Sequence, residues 1–409
     1  MFFIKNNYKF FVLIIVLLLI LAYVTNITSI PESIILFENE QLNFYSILGL
    51  KIEETIQVGA NVSGKENSNN QLMDSKKQYN LSLLGLNLKT ITANIIPETR
   101  VVPLGNLIGL KLYTKGVLVV GTSQIKGEDN KTYKPYEQAG ITQGDSIIQI
   151  NGQTVETTQE LISCVSKCNG KEIQIEYLRD GQTKQTTLNP VKTEENTYKI
   201  GLWVRDAVAG VGTATFYNTS TNTVSSLGHG IQDIDTEELV KISEGEFTNA
   251  EILEIERGAK EHPGKIEGTI EEKETIGKIY SNTEFGVYGE ITNKSVLNID
   301  TIQEVEVASR NEIELGKATV ICTLENEERK EYEIEIQKIY INNNENNKSM
   351  LVKVTDEKLL EKTGGIIQGM SGSPIIQNGK LIGALTHVLL SDPTKRLRTI
   401  CRHYDFASK

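Results

Sequence analysis

The punctuation of the second half of this chain limits its fold more than any other feature. From Thr197 onward, short apolar or alternating runs recur between turn residues, with no long helical period to carry parallel crossovers. Ile200–Val204, Val211–Tyr217 and Thr223–Leu227 come first, the last two separated by Asn218-Thr-Ser-Thr-Asn222. Lys265–Ile270, Gly277–Tyr280, Phe285–Ile291, Ala318–Cys322, Lys330–Ile341 and Ser349–Val354 follow. With 33 glycines against 8 prolines, turns are plentiful and strand breakers few. Such a pattern buries its apolar faces by closing antiparallel sheets on themselves. The expected fold is mainly β, with a pair of antiparallel barrels over residues 196–409.

Within that region lies Gly369-Met-Ser-Gly-Ser-Pro374, and well upstream Gly228-His229-Gly230. Small neighbours let the backbone turn sharply around Ser371, so that its hydroxyl stands clear of the sheet. The amides of Gly369 and Ser371 are then placed to meet a developing oxyanion. A histidine between glycines supplies a general base with room for substrate. The order histidine then serine resembles the trypsin-like arrangement, whereas a nucleophile-elbow hydrolase places its serine first. Ser373 is the weaker candidate nucleophile, since the first serine of this pattern is the exposed one. Of the other histidines, His262 precedes proline in a charged loop, His387 ends the strand after the serine, and His403 lies near the end.

Residues 1–29 read as a signal-anchor: Lys5 and Lys9 precede the unbroken apolar run Phe10–Val24, and no clear Ala-x-Ala site follows. The positive flank leaves the remainder outside the cytosol. Residues 30–98 read as a tether, polar and mobile over Ser63–Asn80 and open to self-cleavage. A net charge of −11, with no dense basic cluster, argues against a nucleic-acid partner. Of the four cysteines, Cys164 and Cys168 stand four apart in a helical stretch, poor disulfide geometry, and no histidine is near them in sequence. They read as structural thiols. No metal or cofactor is expected.

Residues 99–192 carry a second module. Ala139-Gly-Ile-x-x-Gly-Asp-x-Ile-x-x-Ile-Asn-Gly152 closely resembles the PDZ family. By that resemblance Gly105, Asn106, Leu107, Ile108, Gly109 and Leu110 form a carboxylate-binding loop, the strand from Gly109 accepts an added peptide strand, and Thr158–Cys168 lines the groove. Leu161 and Val165 share a helix face and fit core and groove equally. Ile173–Leu178 and Thr183–Leu188 then form a hairpin across Arg179-Asp-Gly-Gln182.

Taken together, Gly228-His-Gly-Ile-x-Asp233 and Gly364-Gly-Ile-Ile-Gln-Gly-Met-Ser-Gly-Ser-Pro374, behind an anchor and a PDZ module, resemble the SpoIVB peptidase family from about Ile30 to Thr394. That resemblance implies a PDZ-linked serine endopeptidase of endospore formation, secreted from the forespore into the space between its membranes. It would cleave itself and a membrane-bound regulator, releasing an intramembrane protease that activates a mother-cell sigma factor. The acid of the triad then falls on Asp356, whose plain alternative is a helix N-cap. Asp233, near His229 in sequence, and Asp300, between histidine and serine, remain alternatives. The end from about Arg396 departs from the family pattern and is expected to lack the last barrel element. That departure sustains a rival reading, a membrane-anchored PDZ scaffold with impaired catalysis. A quality-control protease is the third reading, disfavoured because its PDZ follows the protease domain.

Overall fold

The computed structural model describes residues 10, 12–18, 21, 33–38, 50–55, 75–83, 85–259, 261–309, 312–325, 328–340, 350–387 and 395–397. The expected antiparallel β architecture dominates. Six strands close a ring: Leu107–Thr122, Leu202–Asn218, Thr223–Ser226, Gly286–Ile291, Lys265–Thr283, Ile242–Glu256, and back to Leu107–Thr122. Inside it pack Leu110, Tyr217, Phe247, Ile279 and Val287, all nearly inaccessible to water. A second sheet runs Arg100–Pro103, Val305–Val307, Lys380–Ala384, Pro374–Gln377, Gly316–Glu325, Glu328–Ile339, Met350–Val354 and Lys395–Leu397. Its core holds Val320, Ile334, Val352, Ile375 and Leu385. Among the described residues this sheet does not return on itself. The expected pair of closed barrels therefore appears as one closed ring and one open sheet.

A third core, around Val119, Ile147, Val155, Leu161 and Ile175, marks the PDZ-like unit. Its helix Thr158–Lys167 starts where sequence dictates: Thr157 Oγ1 accepts from the Glu160 amide, and Glu160 reaches back to the Thr157 amide. Leu161, Cys164 and Val165 are the buried face, so Leu161 and Val165 belong to the core. Ile173–Arg179 and Gln182–Leu188 pair as the expected hairpin. Cys164, Cys168 and Cys322 are free thiols, and Cys401 lies outside the described residues.

Two expectations need correction. The segment read as a tether contains a four-stranded sheet in the order Ser33–Phe37, Leu86–Ile96, Ser75–Leu83, Leu50–Thr55. Leu36, Tyr79, Ala93 and Ile95 give it a small core, while residues 56–74 lie outside the described ones. Gly105–Leu110 is also not an open peptide-binding loop. All six residues are buried. The Gly105 amide donates to the Ala214 carbonyl, the Ala214 amide donates to the Asn106 carbonyl, and a Cβ at Gly105 would lie 2.7 Å from Ile321 Cγ2. Gly109–Tyr113 instead pairs with both neighbours in the ring, leaving no edge there for a ligand strand.

No helix among the described residues is long and apolar enough to cross a membrane. Most of the expected anchor lies outside them; residues 10, 12–18 and 21 are helical, with their apolar side chains exposed.

Ile108 is fully buried among ring residues. Ile108→Ala is expected to cost about 2–5 kcal/mol of stability, the range for emptying a core site. Urea denaturation checks this, and a loss under about 0.5 kcal/mol would return the segment to the surface.

Candidate active site

Each catalytic candidate is presented by a loop rooted in a different core. Leu227, before Gly228-His229, packs in the closed ring; Ile367 and Met370, before Ser371, pack in the open sheet. The site therefore sits where the two meet. Gly372 has φ +97, and a Cβ there would run into the Thr213 carbonyl and the Leu227 backbone. Only glycine lets the serine loop lie this close to the histidine loop.

Thr213 clamps the serine loop from the ring side. Its amide donates to the Ser371 carbonyl at 3.1 Å, and its hydroxyl to the Gly369 carbonyl at 2.8 Å. The remaining loop amides divide into two sets. Those of Gln368, Met370, Gly372 and Ser373 donate to Gly264, Ile367, Leu385 and Met370 carbonyls. Those of Gly369 and Ser371 donate to nothing among the described residues. Two free N–H groups thus flank a half-buried serine hydroxyl, the donor set an oxyanion needs. Ser373 is fully buried and its hydroxyl has no partner, which leaves Ser371 as the serine substrate can reach.

Ser371 Oγ donates to the Thr386 carbonyl at 3.2 Å. The next residue, His387, places its ring 5.7 Å from that of His229, and a Cβ at Gly228 would lie 2.7 Å from Thr386 Cγ2. Thr386-His387 thus joins serine to histidine. Sequence reasoning placed His387 at the end of the strand after the serine, where it could approach the cleft, but had no signal for its tilted ring contact with His229. His229 Nδ1 lies 2.9 Å from the Gly230 carbonyl. A carbonyl only accepts, so Nδ1 carries the proton and Nε2 is left with the lone pair a base requires.

Of the three carboxylates, two are engaged elsewhere and the third is exposed. Asp356 caps the helix Glu357–Thr363, accepting from Leu359 N at 3.0 Å, and its charge bears on the buried Cys322 thiol. Burial first, then that charge, pushes the Cys322 pKa up. Asp233, nearly inaccessible, is held by Arg205 and accepts from the amides of Asp235 and Thr236. Asp300 is exposed in the 3-10 turn Ile299–Thr301. Among the described residues no carboxylate is hydrogen-bonded to His229, whose ring is oriented by a peptide carbonyl instead.

Desolvation holds the His229 pKa below the usual 6.5, against an opposing contribution from the Gly230 bond. A lowered pKa keeps the imidazole neutral, and so basic, to more acidic pH. The rate of Ser371 phosphonylation by a fluorophosphonate, with loss of fluoride, is expected to fall on acidification with a midpoint below pH 6.5; a midpoint above it would overturn the assignment of His229 in this environment. For Asp356, the capping geometry predicts that Asp356→Ala loses about 0.5–2 kcal/mol of stability while Asp356→Asn, which also caps, loses little. Thermal melts combined with phosphonylation rates separate the roles. A stable Asp356→Asn protein with phosphonylation slowed about a hundredfold or more would make Asp356 the acid despite its cap.

A family model described as SpoIVB peptidase S55 matches residues 196–400, and a PDZ domain model matches residues 108–189. The zinc metalloprotease RasP of Shouchella clausii is 37% identical over 95 residues, 23% of this chain and 22% of that protein. A putative zinc metalloprotease of Staphylococcus aureus is 30% identical over 90 residues, 20% of this chain and 21% of its own. The chain thus spans about a fifth of the length of these curated relatives. Among solved structures, the PDZ domain of an SdrC-like protein from Listeria monocytogenes aligns with a TM-score of 0.19 and 22% identity, covering 22% of this chain and 87% of that one. The Rv3671c protease in its inactive form aligns with a TM-score of 0.25 and 9% identity, covering 47% and 79%. With its serine and histidine loops meeting inside the 196–400 match and a PDZ module ahead of them, the chain belongs to the SpoIVB peptidase S55 family.

Proposed function

We propose that the chain is a serine endopeptidase of spore formation that cleaves itself and a membrane-bound regulator of an intramembrane protease. The observation that carries the chemistry is the pair of free amides, Gly369 and Ser371, beside an accessible serine hydroxyl. In the reaction the Ser371 hydroxyl leaves the Thr386 carbonyl and gives its proton to His229 Nε2. Its oxygen attacks the substrate carbonyl carbon, and the resulting oxyanion takes the two amides. Collapse expels the amine, which receives the proton from His229. Water then attacks the acyl-serine by the same route in reverse. The Gly230 carbonyl steadies the imidazolium in this scheme.

The signalling role rests on family membership. An extracytoplasmic place, with the chain anchored in or released from the forespore membrane, rests on the apolar run Phe10–Val24, whose described helical residues leave apolar side chains uncovered. A membrane-tethered enzyme meets a membrane-bound substrate at raised effective concentration. The released protease would then lead to activation of the mother-cell sigma factor.

One observation favours the second reading, an anchored PDZ scaffold: no carboxylate bonds His229 among the described residues. Fluorophosphonate labelling of the full chain in mild detergent separates the two. The peptidase reading expects labelling and self-trimming in the wild type, neither in Ser371→Ala, and labelling slowed about a hundredfold or more in His229→Ala. An unlabelled wild type with native near-ultraviolet dichroism would establish the scaffold.

A further inference from the structure

We infer that His229 and His387 together form a binding site for a borderline-soft divalent cation, zinc above all, and that an ion seated there silences Ser371. The two rings stand with their centroids 5.7 Å apart and their planes tilted by 49°. With Zn–N bonds of about 2.0–2.1 Å and near-tetrahedral angles, two imidazoles sharing one zinc place their centroids roughly 5–6 Å apart. Nitrogen lone pairs lie in the ring plane. Two face-to-face rings therefore cannot share an ion, whereas rings tilted to this degree can. His387 is exposed and His229 half-buried, so the pair is reached from solvent.

Each imidazole is already held by its other nitrogen, as metal-ligating histidines are. His229 Nδ1 donates to the Gly230 carbonyl at 2.9 Å, which leaves Nε2 with its lone pair. His387 Nδ1 lies 2.9 Å from Thr386 Oγ1. With that hydroxyl accepting, His387 also offers its Nε2. Burial lowers the His229 pKa, so this ring stays neutral, and able to ligate, to more acidic pH. The backbone brings the two loops together as well. Gly228 has φ +69, and a Cβ there would lie 2.7 Å from Thr386 Cγ2, so the approach is as close as glycine allows.

Among the described residues no third His, Cys, Asp or Glu joins the pair. Two protein ligands leave the other positions to water, which makes the site open and reversible. Imidazole nitrogen suits zinc, copper and nickel; calcium and magnesium prefer oxygen, and the pair offers only nitrogen. The cation takes up the same His229 lone pair that must accept the Ser371 proton, so metal and proton compete for one atom. Ser371 Oγ then keeps its bond to the Thr386 carbonyl, and no base is left to activate it. The effect on catalysis rests on the peptidase reading, whereas the binding rests on the two rings alone.

Binding is tested by calorimetric titration of zinc chloride into chelator-treated, full-length Ser371→Ala protein in mild detergent. One zinc equivalent is expected to disappear, or to weaken about tenfold or more, in versions that also carry His387→Gln or His229→Gln and melt like the parent. No zinc bound, or a titration that either substitution leaves unchanged, would overturn the site. A second arm follows fluorophosphonate labelling of the unsubstituted chain. Zinc is expected to slow it about tenfold or more, reversibly with EDTA, while calcium and magnesium leave it unchanged. Zinc held by the pair with labelling unslowed would overturn the silencing. A chain that never labels counts against the peptidase reading, and the calorimetric arm still decides the site.

Discussion

One strand, Leu202–Asn218, bears most of the structural demands of this molecule. At its start it completes the PDZ sheet; farther on it pairs through Leu107–Tyr113 in the closed ring. Its Arg205 meets Asp233, a carboxylate with 1% of its side chain exposed, and its Thr213 fixes the serine loop through two hydrogen bonds. A buried carboxylate without its cation would carry a heavy desolvation penalty, so the Arg205 pair holds the histidine loop in place as well as the strand. Histidine and serine come from separate cores, and this strand, like Thr386-His387, touches both loops.

The catalytic geometry follows from where backbone donors are spent. Within residues 368–372 the amides that stabilise the turn alternate with those that do not, and the free ones belong to Gly369 and to Ser371 itself. The turn obtains its rigidity from Gly264, Ile367 and Leu385 carbonyls and from the Thr213 clamp. It therefore need not consume the two donors that a tetrahedral intermediate would require. That is preorganisation by omission: reaction brings charge to donors that the turn has left unspent.

Much of this was legible in the sequence, for identifiable reasons. His229 stands out because it lies between two glycines, Ser371 because Gly369 and Gly372 set it in a tight turn, and the helix Thr158–Lys167 because Thr157 and Glu160 form a capping box. The assignment of Gly105–Leu110 failed because an apolar run with alternating burial specifies a half-buried strand without naming its partner. Ile108-Gly-Leu-Lys-Leu112 suits a PDZ first strand and a barrel strand equally, and long-range pairing decided for the barrel. The acid stayed undetermined because a carboxylate three residues before Leu359, at the head of an apolar-periodic run, signals a helix start as strongly as it signals catalysis, and here it makes the cap. Nothing in sequence spacing announced that a peptide carbonyl would orient His229.

The exchange of strands between the two modules has a consequence for how the chain can be divided. Leu107–Thr122 contributes its first half to the ring and its second half to the PDZ sheet, while Leu202–Asn218 does the same in the opposite order. No cut between the two modules leaves both with all their strands. A fragment ending near residue 189 would bare the edge of Leu118–Thr122, and one beginning near residue 196 would open the ring at Leu107–Thr114. Each would expose unpaired backbone of the sort that recruits other chains. The two modules form one interlaced body, and moving either into another protein would require carrying half of its neighbour along.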